Sequence, residues 1–302
     1  MSINRELDQG LKRRDPRCLA RLLTLLESFP SQARPVLRRL WPQRKSARRI
    51  GITGPPGSGK STLINKLIGL YRAQKKTVGI LAIDPTSPLS GGAFLGDRVR
   101  MQEHATDPGV FIRSMANREK MGGTCPGLYD ALAAMEIFGF DILFLETIGA
   151  GQADTALRPL CETVLVLAPP DSVDMIQALK SGLLDVADIF VIHKADLPAA
   201  DHAQKVFQEM LYLRQASRGS RQVWETPVVP VSSLKDSGLN QLLKQIDAHA
   251  HYLQSHGGQD KYSQHRFMEH LRELMVEKLN QRLASKNFHK VNLDRDNPYD
   301  VS

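Results

Sequence analysis

The sequence predicts an α/β fold, a mostly parallel sheet with helices on both faces, with helical extensions at its N- and C-termini. Three observations predict it. Between about residues 47 and 250 short apolar runs alternate with helical patterns, as strands joined by crossover helices do. A glycine-rich turn, Gly54-Pro55-Pro56-Gly57-Ser58-Gly59-Lys60-Ser61, separates one such run from one such helix. The flanking segments, 1–46 and 251–302, show helical spacing without alternation.

Taken in order, the first segment places Leu19, Leu22, Leu23, Leu25 and Leu26 at helical spacing, with Asp15-Pro16 as a start signal and Pro30 as a stop. A second short helix is expected through Val36, Leu37, Leu40 and Trp41. Both are too small to hold a core of their own, so they are expected to pack on the domain that follows. That domain, 47–250, opens with the apolar pair Ile50 and Ile52, then the glycine-rich turn, then a helix marked by Leu63, Ile64, Leu67 and Ile68. Further strands are expected at 77–83, 110–112, 141–145, 163–168, 189–192 and 228–231, and helices at 128–138, 175–186, 204–214 and 239–250. Residues 251–264 are polar and read as a linker. A last amphipathic helix carries Phe267, Leu271, Leu274, Met275 and Leu279 on one stripe, expected to form a subunit interface.

Composition narrows the class. Apolar residues make up 42% and charged residues 24%, as in globular proteins. No apolar run reaches the ~18 residues that span a bilayer, and residues 1–15 lack the apolar core of a secretory signal. Three scattered cysteines, Cys18, Cys125 and Cys161, form no disulfide framework and suit a reducing compartment, so a cytoplasmic protein is expected. The net charge of +8 is concentrated in residues 12–14 and 38–49. No nucleic-acid motif accompanies those runs, which read as solvated helix surface.

The glycine-rich turn is a phosphate-binding loop in its required context of strand, turn and helix. Its glycines let several backbone N–H groups converge on phosphate oxygens, and the helix dipole adds to them. From Gly54 through Thr62 the loop is the candidate phosphate site: Lys60 meets the outer phosphates as a point charge, and Ser61 offers its hydroxyl to magnesium. The remaining magnesium groups are sought at strand ends. Glu146 follows the apolar run 142–145, and Gly149 can bring a backbone N–H to the terminal phosphate. Asp84 ends the run 77–83, and Asp97 lies in the glycine-rich stretch 91–98. Ser61, Asp84, Asp97 and Glu146 together make the expected metal shell.

The base is read elsewhere. His193-Lys194-Ala195-Asp196 follows the apolar run 189–192, where GTP-binding proteins carry Asn-Lys-x-Asp. An aspartate accepts both donors on the Watson–Crick edge of guanine, for which adenine has no matching pair, and a lysine stem packs over the ring. Ser232, Ser233 and Leu234 are placed to bring a backbone N–H to the guanine carbonyl. The expected ligands are therefore GTP or GDP with Mg2+, and the fold is that of a P-loop GTPase. His193 stands where asparagine is usual; it can donate to the base or tie the loop together. Gln152 lies three residues beyond Gly149, too far for the water-positioning glutamine of many small G proteins. With no general base in evidence, hydrolysis rests on Lys60, on the metal held at Glu146 and on a partner's charge, and is expected to be slow.

These residues resemble the MeaB/ArgK-type GTPases, the family that includes the methylmalonic aciduria type A protein. The matching stretches are 51–64 around the phosphate loop, Leu81-Ala82-Ile83-Asp84-Pro85 with Ser87-Pro88, Gly91-Gly92 to Asp97-Arg98, Phe111-Ile112-Arg113-Ser114, and Glu146-Thr147-Ile148-Gly149 with Gly151-Gln152. The similarity runs from the N-terminal helix (Gly10 to Glu27) to about residue 250, and more weakly to the end. It implies a slow GTPase, stimulated by a cobalamin-dependent acyl-CoA mutase such as methylmalonyl-CoA mutase, that gates adenosylcobalamin delivery and protects the mutase. It also implies magnesium at Ser61, Asp84, Asp97 and Glu146, and a homodimer formed through C-terminal helices. Three stretches depart from the family pattern: His193, the proline-led loop 169–174, and the charged run 117–123. A GTPase that inserts a metal such as nickel into a target enzyme is the alternative. It would need Cys or His near the phosphate loop, whereas His249, His251, His256, His265 and His270 fall in and after the polar linker. An ATP-dependent kinase is disfavoured by Asp196.

Overall fold

A computed structural model describes residues 3–85, 102–104, 106–117, 127–147, 157–170, 183–217 and 224–285. The chain divides into two compact units, 1–259 and 260–302. The first begins with α1 (Ile3–Lys12), α2 (Pro16–Ser28) and α3 (Pro30–Leu40). Then follow β1 (Arg48–Thr53), α4 (Lys60–Ala73), β2 (Val78–Pro85), β3 (Val110–Asn117), α5 (Leu128–Phe138), β4 (Ile142–Thr147) and β5 (Thr163–Ala168). The short α6 (Leu183–Val186), β6 (Ile189–His193), α7 (Ala200–Ser217), β7 (Val228–Val231) and α8 (Leu239–Ser255) complete it.

Among the described residues the seven strands form one sheet in the order β3-β2-β4-β1-β5-β6-β7, every pair parallel. The α/β expectation is borne out. Because the side chains of a strand alternate faces, a strand buried on both sides reads as a continuous apolar run. Ile142 and Phe144 of β4 join Leu165 and Leu167 of β5 and Ile189 and Val191 of β6 in a core beneath α4 and α8. The intervening Leu143, Leu145, Val164, Val166, Phe190 and Ile192 face the opposite layer, which contains α5, α7 and the N-terminal helices.

The order reverses at β1, which lies between β4 and β5. In an open parallel sheet such a switch point leaves a crevice at the carboxyl ends of the strands, and the loop after β1 opens into it. Register does the rest. Ile52 pairs with Glu146 and Ala82 also pairs with Glu146, so the acid is set beside the phosphate loop by sheet pairing.

The N-terminal helices follow their start signals. The Asp15 carboxylate caps α2 by accepting from the Arg17 N–H at 2.8 Å, with Pro16 in the first turn. Pro30 both follows the end of α2 and begins α3, whose first turn needs no proline N–H; Pro35 is carried inside that helix. Leu19, Leu22, Leu23, Leu26, Val36 and Leu37 share a core with Leu128, Leu132 and Met135 of α5. Part-buried salt bridges fasten the same helices, Arg34 of α3 to Asp130 of α5 and Glu27 of α2 to Arg113 of β3, each at 2.8 Å.

Several boundaries differ from those expected. β3 extends to Asn117 and β4 to Thr147, because parallel pairing continues past the apolar residues that mark a strand in sequence. The expected helix 175–186 is described only over Leu183–Val186. The stretch 251–264 is not a linker. α8 continues to Ser255, and the next helix, α9, spans Gly258–Ser285. Polar residues such as Gln, His and Lys form helices readily when one face meets solvent; the break is confined to His256-Gly257, where Gly257 takes φ +63°. α9 makes up the described part of the second unit, with Phe267, Met268, Leu271, Met275, Val276 and Leu279 exposed.

Candidate functional site

The phosphate loop is shaped by its glycines. Gly54 takes φ +145°, and a Cβ there would lie 2.4 Å from the backbone oxygen of Leu167 on β5, so no other residue fits. Gly59 takes φ +93° and begins α4. Between them the Ser58 N–H donates to the Pro55 carbonyl at 3.1 Å. Pro56, Gly57 and Thr62 lie in the same turn and first helical turn. The Lys60 ammonium folds back over the loop, donating to the carbonyls of Gly54 at 2.8 Å and Pro55 at 3.2 Å. It is 8% exposed, a charge fixed above the cradle.

One residue on, the Ser61 hydroxyl donates to Oε1 of Glu146 at 2.7 Å. Both side chains are 4% exposed. The neighbouring strand ends are joined as well, Thr147 Oγ1 donating to Thr53 Oγ1 at 3.0 Å. The structure thus brings together two members of the expected metal shell. Hydroxyl and carboxylate oxygens are hard ligands of the kind magnesium takes, so this pair fits that ion. Asp84 is placed by its backbone on β2, paired with Ala116 of β3. Asp97, Gly149 and Gln152 lie outside the described residues, as do residues 171–174 of the altered loop and 118–123 of the charged run.

The base-reading loops meet at the ends of β6 and β7. The Ala195 N–H donates to the Val231 carbonyl at 3.1 Å. Ser232 and Ser237 exchange backbone hydrogen bonds at 3.0 Å, closing a tight loop around Leu234. Ser232 Oγ donates to the Asp196 carboxylate at 2.5 Å and accepts from the Lys235 N–H at 3.2 Å. That serine bond, followed by an N–H within the same loop, holds the Asp196 carboxyl below the usual range, ionised as an acceptor of two donors should be. Lys194 is exposed, with a left-handed backbone at φ +61°, and Leu234 is 83% exposed.

His193 departs from the arrangement expected of a base-reading side chain. Its Nδ1 lies 2.7 Å from the Ser58 carbonyl and its Nε2 2.8 Å from Ser233 Oγ. Burial holds the imidazole below its ordinary pKa, with Lys194 acting in the same direction and the Ser58 bond and Asp196 against it. Of the two roles open to it in sequence, the geometry realises the tie between loops.

His249 requires a correction. It belongs to α8, is 1% exposed, and pairs with Thr163 Oγ1 at 2.9 Å and Asp188 at 3.4 Å, a core position at the amino end of the sheet and not part of a solvated histidine cluster. The Thr53–Thr147 contact and the Ser58 carbonyl as a partner of His193 were not legible in sequence, since the first arises from the pairing of β1 with β4 and the second from the strand order that sets β6 two strands from β1. A threonine at the end of each of two apolar strands, Thr53 and Thr147, is the one sequence signal that bears on the first.

A phosphate loop at a topological switch point, a serine–glutamate pair beside it and an aspartate on a neighbouring loop define a P-loop nucleotide-binding protein. The comparisons with known proteins narrow the class. The family described as "Methylmalonyl Co-A mutase-associated GTPase MeaB" matches residues 19–288, and the chain belongs to it, and with it to the P-loop GTPases. A Pyrococcus abyssi protein named as a GTPase is 41% identical over 271 residues, covering 89% of this chain and 83% of its own. The mouse protein named methylmalonic aciduria type A homolog, mitochondrial, is 30% identical over 262 residues, 82% of this chain and 63% of its own. Among solved structures, a crystal structure titled LAO/AO transport system kinase aligns with a TM-score of 0.74 at 23% identity, covering 94% of this chain and 87% of its own; that likeness concerns the fold.

Proposed function

We propose that this protein is a GTP-binding, slowly GTP-hydrolysing chaperone that gates adenosylcobalamin delivery to a cobalamin-dependent acyl-CoA mutase and protects that mutase. The observation that carries this reading is membership of a mutase-associated GTPase family over residues 19–288, with a relative named for methylmalonic aciduria. The local chemistry agrees with it. The backbone from Gly54 to Thr62, joined by Gly149, would hold the phosphates. Lys60 would supply positive charge to the outer ones. Asp196 would accept the two guanine donors, with Lys194, Ser232, Ser233 and Leu234 around the base.

Ser61 and Glu146, completed by Asp84 and Asp97, would hold Mg2+. Held by these residues, the ion would supply positive charge against the negative charge that develops on the phosphates. Lys60 and Glu146 are the residues assigned to catalysis, Lys60 by direct contact with phosphate and Glu146 by holding the ion. Since no side chain near the described part of the site is placed as a general base, turnover should be slow without a partner.

The test is GTP hydrolysis by the purified protein, alone and with candidate cobalamin-dependent mutases. Slow turnover that rises with one mutase is the expected result. An unchanged rate with every mutase, or turnover on the order of tens per second without any, would remove the reading. The exposed stripe on α9 is proposed as a homodimer contact. Sedimentation of the full chain should show a dimer that Leu271→Glu with Met275→Glu dissociates; a wild-type monomer would overturn it. A cytoplasmic location is part of the same proposal; fluorescence of a tagged copy confined to a membrane or an organelle would contradict it.

A further inference from the structure

The phosphate loop and the base-reading loops leave different strands. The first follows β1 and the second follows β6, with β5 between them. Two strand spacings of about 4.8 Å separate them along the sheet. A nucleotide that bridges this gap needs both loops held at a fixed separation, and loops left independent would lose freedom on binding, at a cost in affinity.

His193 spans the gap. A carbonyl oxygen can only accept, so the nitrogen 2.7 Å from the Ser58 carbonyl, Nδ1, carries the ring proton. Nε2 is then the acceptor, and the Ser233 hydroxyl donates to it at 2.8 Å. The ring lies against the phosphate loop so closely that a Cβ on Gly59 would sit 2.3 Å from Nδ1. His193 is 3% exposed, Ser58 fully buried and Ser233 5% exposed. Both nitrogens are therefore engaged inside the protein, one by each loop, and neither is left to meet a base. Asp196 is held differently. Its Oδ1 accepts from Ser232, which orients a carboxylate that has several lone pairs to offer.

We infer that His193 is a positioning residue that locks the phosphate loop to the base-reading loops and does not itself read the base, so that discrimination of guanine rests on Asp196. This deepens the GTP-binding reading and rests on it. Asparagine, usual at this position among GTP-binding proteins, has an amide N–H2 and a carbonyl oxygen on one planar group. It can donate towards Ser58 and accept from Ser233, as the neutral imidazole does, so the substitution preserves the tie with a longer lever.

The consequence is a separation of affinity from specificity. A loss of the tie affects every nucleotide that spans the two loops by the same factor, whatever its base. A loss of the base reader changes the ratio between bases. The experiment measures the dissociation constants of GTP, GDP and ATP by calorimetry on the full chain, for wild type, His193→Ala, His193→Asn, Ser233→Ala and Asp196→Ala. His193→Ala should weaken GTP, GDP and ATP alike, by about tenfold for two neutral hydrogen bonds, and keep the GTP-to-ATP ratio. His193→Asn should restore most of that loss, and Ser233→Ala should show a smaller uniform loss. Asp196→Ala should lower the ratio by about a hundredfold or more.

A fall in the ratio for His193→Ala as large as that for Asp196→Ala would overturn the proposal, as would affinities unchanged by His193→Ala. If His193→Ala does not fold, the uniform loss in Ser233→Ala and an unaltered ratio in His193→Asn carry the same test; an altered ratio in His193→Asn refutes it. Failure of the underlying reading looks different, because wild type would then bind GTP and ATP equally or bind neither.

Discussion

The two edges of the sheet both carry charged and polar side chains, but they use them in opposite ways. At the amino edge the groups close on one another. Arg49 donates to Glu136 at 2.9 Å, with side chains 5% and 2% exposed. Asp188 accepts from Arg158 at 2.5 Å and from the Val164 N–H at 2.9 Å. Asp141 accepts from the backbone and hydroxyl of Thr77 at 2.7 and 2.9 Å, and Arg48 pairs with Asp247. At the carboxyl edge loop backbone and neutral hydroxyls are among the partners. Lys60 leans on two carbonyls, Glu146 and Asp196 each accept from a serine, and His193 bridges a carbonyl and a third serine. Opposite charges matched to each other staple elements together. Lys60, of one sign, and Glu146 and Asp196, of the other, are each oriented by carbonyls or hydroxyls, positions from which they would meet a ligand and an ion.

The contrast breaks first at Glu136. Glu136→Ala leaves Arg49 charged, buried and without its carboxylate, a situation that costs about 3–5 kcal/mol. Denaturant unfolding should show that loss, while GTP affinity of the protein that remains folded should stay within about twofold of wild type. An equally large fall in affinity would mean that the amino edge belongs to the site.

At the carboxyl edge the order of effects reverses. Lys60→Ala removes a side chain that donates to the carbonyls of Gly54 and Pro55, and stability should change by less than about 1–2 kcal/mol. Single-turnover GTP hydrolysis should fall by about 10²–10³-fold, the loss typical of removing one charge-stabilising donor. A variant that loses stability and keeps hydrolysis would make Lys60 a staple like Arg49.

How far this contrast is visible in sequence depends on what carries each feature. The phosphate loop is local, so its glycines, Lys60 and Ser61 could be placed from residues alone. Glu146 and Asp196 are legible too, because each follows an apolar strand and strand ends are where such acids act. The seven-strand alternation is equally direct. The strand order is not, and with it goes every contact that depends on pairing: Glu146 beside Ser61, Thr147 on Thr53, His193 reaching Ser58. Residues 251–264 were misleading for a different reason, since polarity reports solvent contact and says little about whether the backbone is helical. His249 stands just ahead of that polar stretch in sequence, with its side chain turned into the core.

The two buried histidines give the smallest test, one from each edge. His249 is held below its ordinary pKa by burial first, with Arg158 acting in the same direction and Asp188 against it. His193 is lowered by burial as well. The sign follows from proton counts. Above the unfolded pKa near 6.5 each ring is neutral in both states and stability is at its full value. As pH falls below it the unfolded chain takes up a proton that the folded chain refuses, so stability is lost until the folded pKa is reached. Within that window each histidine contributes a slope of at most about 1.4 kcal/mol per pH unit. Unfolding midpoints measured between pH 7.5 and 5 should therefore fall for wild type. His249→Gln and His193→Asn should each remove one share of the slope. Only His193→Asn should also flatten the pH dependence of GTP affinity, because only that ring lies between two nucleotide loops. A His249→Gln variant that flattened it equally would join the two edges into one titrating unit and erase the distinction between staple and site.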